Sequence, residues 1–521
     1  MRVQEKCNQE VVTTGELTIN AKDLPEGWTS ESLGDVTRDI RYGYTAKATA
    51  IKAGPKYLRI TDIQDNTVDW NMVPFCEIES SKFNSYRLSA GDLVFARTGA
   101  TTGKSYLIKT CPDSVFASYL IRVRPSAALL PEYVAAFFQS DSYWNQITEN
   151  LSGSAQPNCN ASKLASLLVP IPPLPEQRRI VAKLEALLSK VSTTQQRLSR
   201  VPGLLKRFRQ SVLAAACSGK LTADWREENK TEETGEKLLS RIKAIRLKFA
   251  NTAKEKKEIE TAFSPSFLEI TEEELSVDSL PETWKACRIG AAGTVSNGST
   301  PSRQQASFWD GNIPWISSGQ VRNNHITTTR ERITNAGFDN TSLRLLPRGT
   351  VLIAMIGEGK TRGQSAILAL EATINQNIAA IVISHGLVES TFLWLWFQMR
   401  YEATREQGAG SGPQALNCQR VRELPFVLPP QSEQKEIVRR VEKLFAFADQ
   451  IESRLKQAQA QVDRLTQSLL AKAFRGELVP TEAELARQQG RPYESANELL
   501  ARIRATQTTP TKPKRGKTTK R

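Results

Sequence analysis

Two stretches of the chain repeat apolar residues at alternating spacings of four and three. A repeat of this kind, sustained over more than four heptads, is typical of a coiled coil. At about 1.5 Å per residue, some forty residues make a rod of roughly 60 Å. We predict long helices over 175–222 and 432–478, with seam positions at Ile180, Leu184, Leu187, Val191 and Leu198 in the first and Ile437, Val441, Leu444, Ile451 and Leu455 in the second.

The two helices can bury each other's seam. Antiparallel pairing, which we predict, would place the globular domain at the start of each helix at opposite ends of the rod, whereas parallel pairing would bring the domains together. An amphipathic helix packed on its own domain is the alternative, and its length argues against it. Thr194 and Leu465 fall on the same repeat, and Pro202-Gly203 predicts a bend in the first helix.

The whole chain is a duplication with a period of about 257 residues. Matching strings occur in the same order in both copies, which chance does not explain. The strings are Leu24-Pro25-Glu26 with Trp28 and Leu280-Pro281-Glu282 with Trp284, Pro172-Pro173 with Glu176-Gln177 and Pro429-Pro430 with Glu433-Gln434, and Ser211 to Gly219 and Ser468 to Gly476.

The segment before each long helix mixes short β-branched or aromatic runs with turn-forming residues. Such runs predict short strands, at 93–96, 119–123, 351–356 and 378–383, and helices are expected at 131–143 and 390–403. The fold class is therefore α+β, with two globular domains of irregular sheet plus helices. The remaining boundaries are a leader at 1–23, domains at 24–174 and 280–431, a crossover with a short helix at 223–279, a short helical segment at 479–507 and a disordered basic tail at 508–521.

Composition narrows the functional classes. The 521 residues carry 70 Lys+Arg against 55 Asp+Glu, a formal charge of +15 that favours a polyanionic partner such as nucleic acid. The tail holds six of these positive charges, so charge alone proves little. Seven scattered cysteines without a CxxC pair indicate a reducing cytoplasm and argue against zinc, and two histidines leave little for histidine catalysis. No apolar run is long enough to span a membrane.

One loop resembles a phosphate-binding motif but departs from it. Gly99 to Ser105 follows a predicted strand, yet only three residues separate its glycines where a P-loop needs four. Marks of base methylation and nuclease chemistry are also missing from the chain. We therefore interpret the chain as a reader of nucleic acid rather than an enzyme.

Polar and basic residues in the loops are the candidates for contact with nucleic acid. Arg, Asn and Gln can bond base edges and Lys suits phosphates, although exposed polar residues are most often merely solvated. The candidates are Arg41, Tyr44, Lys47, Lys52, Lys56, Arg59, Arg97, Thr101, Thr102, Lys104, Ser154, Gln156 and Asn158 in the first copy, and Ser299, Thr300, Arg303, Gln320, Asn323, Asn324, Lys360, Thr361, Arg362 and Gln364 in the second, with Asn160 and Asn417 in equivalent loops.

The duplicated LPxxW opening, the PPxxEQ entry into a heptad helix and the ending S-[VL]-L-A…G-x-L together resemble the DNA-specificity subunit of type I restriction-modification enzymes. The resemblance covers about 24–250 and 280–505. It implies that each domain reads one half of an asymmetric bipartite DNA target. It also implies that the antiparallel helices set the spacer and dock two methyltransferase subunits, which two restriction and translocase subunits then join.

The resemblance places the cofactors outside this chain. S-adenosylmethionine, ATP and Mg²⁺ would belong to the partner subunits, and this chain would itself hold no metal. Two departures from the family pattern are the leader and the long basic tail. The alternative function is a structural coiled-coil adaptor whose heads bind protein.

Overall fold

The computed structural model describes residues 24–64, 66–151, 159–275, 277, 279–357, 360–383, 385–406 and 416–507. The leader and the tail of the sequence prediction lie outside these residues. Within them the chain divides into two compact units, one of 24–199 with 457–507 and the other of 200–456. Each unit thus combines one globular domain, the start of its own long helix and the end of the other copy's long helix.

The first copy alternates short strands with short helices and ends in a long helix. Its strands are β1 Thr29–Ser32, β2 Thr37–Tyr42, β3 Lys56–Leu58, β4 Ile63–Gln64, β5 Thr67–Val68, β6 Leu93–Ala96, β7 Ser105–Leu107, β8 Ser114–Phe116, β9 Leu120–Pro125 and β10 Leu168–Ile171. Its helices are α1 Ser80–Tyr86, α2 Pro131–Phe137, α3 Asp141–Leu151, α4 Ala161–Ala165 and α5 Leu174–Cys217.

Five helices follow before the second copy begins. They are α6 Ala223–Glu228, α7 Gly235–Lys248, α8 Ala253–Ala262, α9 Pro265–Leu268 and α10 Glu272–Leu275. The second copy has strands β11 Lys285–Arg288, β12 Gly293–Asn297, β13 Trp309–Ile316, β14 Asn324–Ile326, β15 Glu331–Ile333, β16 Val351–Ala354, β17 Ser365–Leu368, β18 Thr373–Ile374, β19 Ile378–Ile383 and β20 Pro425–Leu428. Its helices are α11 Ile289–Ala292, α12 Asn335–Asp339, α13 Ser390–Met399, α14 Tyr401–Glu406, α15 Cys418–Glu423 and α16 Gln431–Phe474, with α17 Glu482–Gln489 and α18 Ala496–Gln507 after them.

The two domains share a sheet frame. In the first, the order is β2-β9-β6-β7; in the second it is β12-β19-β16-β17-β14. The shared strands β6, β7 and β9 correspond to β16, β17 and β19, and their pairings are antiparallel in both domains. All residues of β6 and β16 are buried, as expected for the central strands of a covered sheet. The α+β prediction is confirmed.

The long helices run antiparallel within each unit. In the unit of the first domain, Gln195 of α5 bonds Asp463 of α16 at 3.3 Å, while Ile180, nearer the start of α5, shares a core cluster with Leu470, nearer the end of α16. In the other unit, Arg209 bonds Asp449 at 2.5 Å. Contacts further along α5 are therefore made with earlier residues of α16, as in an antiparallel pair.

The apolar repeat faces the protein interior. Ile180, Leu184 and Val191 are buried in α5, as are Ile437, Val441 and Leu455 in α16, and Leu187, Leu198, Leu444 and Ile451 are half-buried. The repeat fails toward the end of α16, where Leu465 is 50% exposed and Leu470 is buried instead. The residues that face the interior here are 466, 470 and 473, one position later than the heptad repeat predicts. A straight helix drifts away from a strict heptad in this way.

Both long helices end earlier than the sequence prediction. They stop at Cys217 and Phe474, because Gly219 and Gly476 adopt φ of 77° and 75°, a left-handed conformation that ends a helix. Helix α5 continues through Pro202, which is exposed, so water can satisfy the carbonyl that its missing N–H leaves open. A bend at this proline stays a prediction.

Two predicted helices are wrong as single helices. The stretch at 131–143 divides into α2 and α3, because the Ser140 hydroxyl bonds the Phe137 carbonyl and accepts from the N–H of Tyr143, which starts a new helix. The stretch at 390–403 divides at Arg400. The guanidinium of Arg400 is buried and donates to the carbonyls of Glu274 and Leu275.

The duplicated motifs meet in the core of each unit. Trp28 donates from Nε1 to Glu176 at 2.9 Å, and Trp284 does the same to Glu433 at 2.9 Å. Both carboxylates are buried. Burial raises the pKa of Glu176, while the hydrogen bonds from the Glu482 N–H and from Trp28 oppose that rise. The LPxxW and PPxxEQ motifs therefore fix each domain to the start of its own helix.

Candidate nucleic-acid interface

The glycine-rich loop of each copy joins two antiparallel strands. In the first domain it connects β6 to β7, and in the second it connects β16 to β17. A phosphate-binding P-loop leads from a strand into a helix, where the backbone N–H groups point at the anion. Here Ser105 begins a strand, so the loop is a hairpin tip, with Lys104 and Lys360 exposed on it.

A tyrosine anchors each hairpin tip to a neighbouring helix. The Tyr143 hydroxyl on α3 donates to the Gly103 carbonyl at 2.5 Å, and the Tyr401 hydroxyl on α14 donates to the Lys360 carbonyl at 2.6 Å. Gly103 has φ of 93°, and an added Cβ there would lie 2.5 Å from the Trp144 ring. Neither tyrosine was among the predicted site residues, although both are Tyr in matching positions of the duplicated copies.

A second loop joins the hairpin at the same place in both domains. The N–H of Cys159 donates to the Arg97 carbonyl at 2.9 Å, and the N–H of Leu416 donates to the Met355 carbonyl at 2.9 Å. Asn160 and Asn417, expected as loop readers, instead accept from N–H groups at the starts of α4 and α15. Ser154, Gln156 and Asn158 lie outside the described residues.

Several candidates of the first domain are engaged within the protein. Arg59 donates to the Asp62 carboxylate from Nε at 3.1 Å and from Nη2 at 2.6 Å. Lys56 donates to the carbonyls of Asn71 and Val73 and lies 4.1 Å from the Phe75 ring centre. The remaining engaged residues are Arg41, bonded to the Ser85 carbonyl, Tyr44, whose ring packs on Tyr86, and Thr102, bonded to the Gly99 carbonyl.

Candidates of the second domain are engaged in the same way. Arg303 pairs with Glu331 and lies 3.7 Å from the ring centre of Trp309. The side chain of Thr300 bonds Gln376, and that of Asn323 accepts from the N–H of Ser365. Ser299 and Thr361 take part through their backbone carbonyls, which accept from Trp315 and from the N–H of Gln364, so these two bonds do not engage their hydroxyls. Arg362 is 7% exposed, and Gln320 has a buried side-chain oxygen. Asn324 lies on β14.

The exposed cations form a smaller set. Lys47 and Lys52 line two open clefts on either side of the 44–56 loop in the first domain, and Lys104 is on its hairpin. Arg97 is half-buried, and its guanidinium lies 4.8 Å from the Tyr42 ring centre; Thr101, at the hairpin tip, is half-buried too. In the second domain Lys360 is the exposed cation on the hairpin tip, while the backbone counterpart of Lys104 is Gln364. These side chains can reach an anion without breaking a bond that holds the fold.

The described residues contain no group of three or more His, Cys, Asp or Glu side chains placed to hold a metal ion. Over the same part of the chain, no helix combines the length and apolarity needed to cross a bilayer.

Comparison with known proteins places the chain. The sequence profile described as "Type I restriction modification DNA specificity domain" matches residues 25–202 and 281–459. The type I restriction enzyme StySPI specificity subunit of Salmonella potsdam is 29% identical over 469 residues, covering 88% of this chain and 91% of that protein. The EcoKI specificity subunit of Escherichia coli strain K12 is 28% identical over 480 residues, with coverage of 88% and 91%.

Solved structures share the fold. A structure titled "Structural basis underlying complex assembly and conformational transition of the type I R-M system" has a TM-score of 0.62 at 20% identity and covers 87% of this chain and 99% of that one. The HsdS subunit from Thermoanaerobacter tengcongensis has a TM-score of 0.52 at 20% identity, with coverage of 87% and 98%. Since the two profile matches span more than half of the sequence, the chain belongs to the family of type I restriction modification DNA specificity domains and carries that domain twice.

Proposed function

We propose that this chain is the DNA-specificity subunit of a type I restriction-modification complex. Each globular domain reads one half of a bipartite, asymmetric sequence in double-stranded DNA. The observation that carries this proposal is the pair of domains with the same strand frame and different loops. Two readers with different loops contact different bases, so the two half-sites differ.

The anchored hairpin tips and the loops bonded to them are the proposed reading surface of each domain. Their backbone is held by a tyrosine and by one loop-to-loop hydrogen bond in each copy. Rigid placement lowers the entropic cost of ordering a loop on DNA. Lys47, Lys52, Lys104 and Lys360 are proposed to contact phosphates, since they are exposed cations on these domains.

Partners supply the chemistry in this proposal. The paired helices set the distance between the half-sites and dock two methyltransferase subunits, which two restriction and translocase subunits join. S-adenosylmethionine, ATP and Mg²⁺ belong to those subunits, and the complex works in the cytoplasm. The specificity subunits among the relatives support this division of labour.

The test is selection from a random duplex library. The full chain, co-expressed with a type I methyltransferase subunit, is incubated with the library, and bound DNA is sequenced. We expect enrichment of two short, unequal sequence blocks separated by a fixed unspecified spacer. Enrichment of a palindrome, or of no sequence at all, would contradict the proposal, and the second result would favour a coiled-coil adaptor.

A further inference from the structure

A basic cleft of about 430 Å³ lies beside the second domain, and no residue of the hairpin tip lines it. Its walls come from α7 and α8 of the connector and from β12 and α15 of the domain. The charged side chains that line it are Arg246, Lys254, Lys257, Glu258 and Arg422, four cations against one carboxylate. The proposed reading surfaces do not include these residues.

Two of the cations are held rigidly by backbone carbonyls. Arg246 donates from Nη1 to the carbonyls of Gly290 and Ala291 at 2.7 and 3.0 Å, and Arg422 donates to the Val295 carbonyl at 2.9 Å. Neither guanidinium has an ion pair with a carboxylate in the described part of the chain. A guanidinium has five N–H donors, so each retains donors beyond these bonds.

Burial of an uncompensated positive charge makes this cleft electrostatically unusual. Burial lowers the pKa of Arg246 to about 10, with no carboxylate acting against that shift. A buried charge costs free energy unless a counter-charge accompanies it. The carbonyl oxygens supply only part of that compensation, so an anion in the cleft would supply the rest.

Helix α8 supplies the exposed cations of the cleft. Lys254 and Lys257 are exposed, and they form no ion pair with Glu258 among the described residues. Of the two other acids on α8, Glu255 accepts from the N–H groups of Asn251 and Thr252, and Glu260 does not line the cleft. Because these lysines are exposed, the cleft is open to solvent on their side. A phosphate within a polymer needs such an opening, since the chain must continue out of the cleft on both sides of it.

We propose that this cleft binds a backbone phosphate of the DNA, with Arg246 and Arg422 as the fixed donors and Lys254 and Lys257 as the exposed ones. The proposal rests on the proposed DNA-reading function and adds a contact outside the reading loops. Phosphate contacts fix register and orientation without reading sequence. The cleft therefore contributes affinity and not specificity.

The test compares Lys257→Gln with Lys256→Gln. Both lysines are exposed on α8 and both changes remove one charge, but Lys256 does not line the cleft. Affinity of the full chain, co-expressed with its methyltransferase subunit, is measured by fluorescence anisotropy between 50 and 200 mM salt, on a duplex selected from the library and on an unrelated duplex. Loss of one phosphate contact lowers the slope of log affinity against log salt by about 1 and weakens binding to both duplexes alike, about fivefold.

The double variant Lys254→Gln/Lys257→Gln should lower the slope by about 2, while Lys256→Gln should stay within about twofold of the unchanged protein. Equal effects of Lys257→Gln and Lys256→Gln would overturn the cleft proposal, as would a change in the selected sequence. Because the slope is also measured on unrelated DNA, the result stands even if the library yields no split sequence.

Two further measurements separate other ligands from DNA. Inorganic phosphate added in a thermal unfolding assay tests for a free anion. Stabilisation that Lys257→Gln abolishes, with DNA binding unchanged, would assign the cleft to a small phosphate and overturn the DNA contact. Reduced co-purification of the methyltransferase subunit, with an unchanged salt slope, would assign it to an acidic protein surface instead.

Discussion

Two glycines after the long helices show how single residues hold the duplicated architecture. An added Cβ at Gly476 would lie 2.4 Å from Cγ of Pro25, and one at Gly219 would lie 2.4 Å from Cγ of Pro281. Both glycines also have positive φ. The G-x-L ending of one copy therefore packs on the LPxxW opening of the other copy. This contact explains why the two motifs are duplicated together.

Replacement of either glycine should destabilise the protein. Gly476→Ala or Gly219→Ala forces a Cβ into a left-handed backbone, at about 1–2 kcal/mol, before the clash with proline is counted. We expect a lower urea midpoint, measured by circular dichroism. Gly203→Ala is the matched control, since Gly203 lies inside α5 with no atom within 4 Å of the added Cβ. It should raise stability by about 0.5–1 kcal/mol, and a loss in the control equal to that at Gly476 would refute the argument.

At the scale of elements, the length of the antiparallel helices is proposed to set the DNA spacer, and their apolar seam holds them together. Apolar residues at the start of each long helix share a core with its own domain, and those at its end share a core with the other copy's domain, so each helix is fixed at both ends. Ile180 and Leu184 pack in one cluster with Leu470, Ala473 and Phe474. Around Thr194 the helix is exposed, and the Thr194 hydroxyl bonds only the Lys190 carbonyl of its own helix. The middle of the rod is therefore where the length can change without altering a domain.

Insertion of four residues after Thr194 should lengthen the DNA spacer. Four residues add about 6 Å and little more than one turn, so the seam stays near its original face. With base pairs about 3.4 Å apart, the spacer should grow by about one or two pairs. Sequencing of methylated sites in a host that carries the system measures the change.

The control inserts the same four residues after Lys230, in the exposed loop between α6 and α7. That insertion should leave the spacer unchanged. Altered half-site bases in the Thr194 variant would count against the helices as the ruler.

At the scale of the whole molecule, each compact unit is built from segments distant in sequence. The segment that follows α16 completes the unit of the first domain. There the N–H of Ala496 donates to the Gly27 carbonyl at 2.9 Å, and Tyr493 packs against Gly27. Glu482, buried in the same place, pairs with Arg179 and Arg491. Burial favours a higher pKa for Glu482, but the two arginines outweigh it and lower the pKa.

Exchange of 24–174 for the corresponding domain of another specificity subunit should change one half-site only. The graft must keep Gly27 and Trp28, because these residues contact Tyr493 and Glu176. The readout is again methylome sequencing, and the reciprocal exchange of 280–431 serves as its control by changing the other half-site. A change in both half-sites from one exchange would show that the domains do not read independently.

The sequence by itself determined the duplication, the two long helices and the α+β class. All three follow from the local spacing of apolar residues and from the order of the repeated strings, and both can be read without knowing which residues are in contact. It placed β6 and β19 at their observed bounds and β16 within two residues, because runs of buried apolar residues mark central strands. Short helices lie in both segments that follow the long helices, α7 within 223–279 and α18 within 479–507.

Only the tertiary structure decided which polar residues remain available to a ligand. Arg59, Lys56 and Arg303 look like unpaired cations in the sequence, yet each bonds a carboxylate or carbonyl that the pattern does not mark, and of the three only Arg303 stays exposed. Tyr143 and Tyr401 look like core residues, yet their hydroxyls anchor the hairpin tips. Local patterns record burial and period, whereas hydrogen-bond partners depend on which segments meet, and in this chain the decisive partners are often tens to hundreds of residues apart.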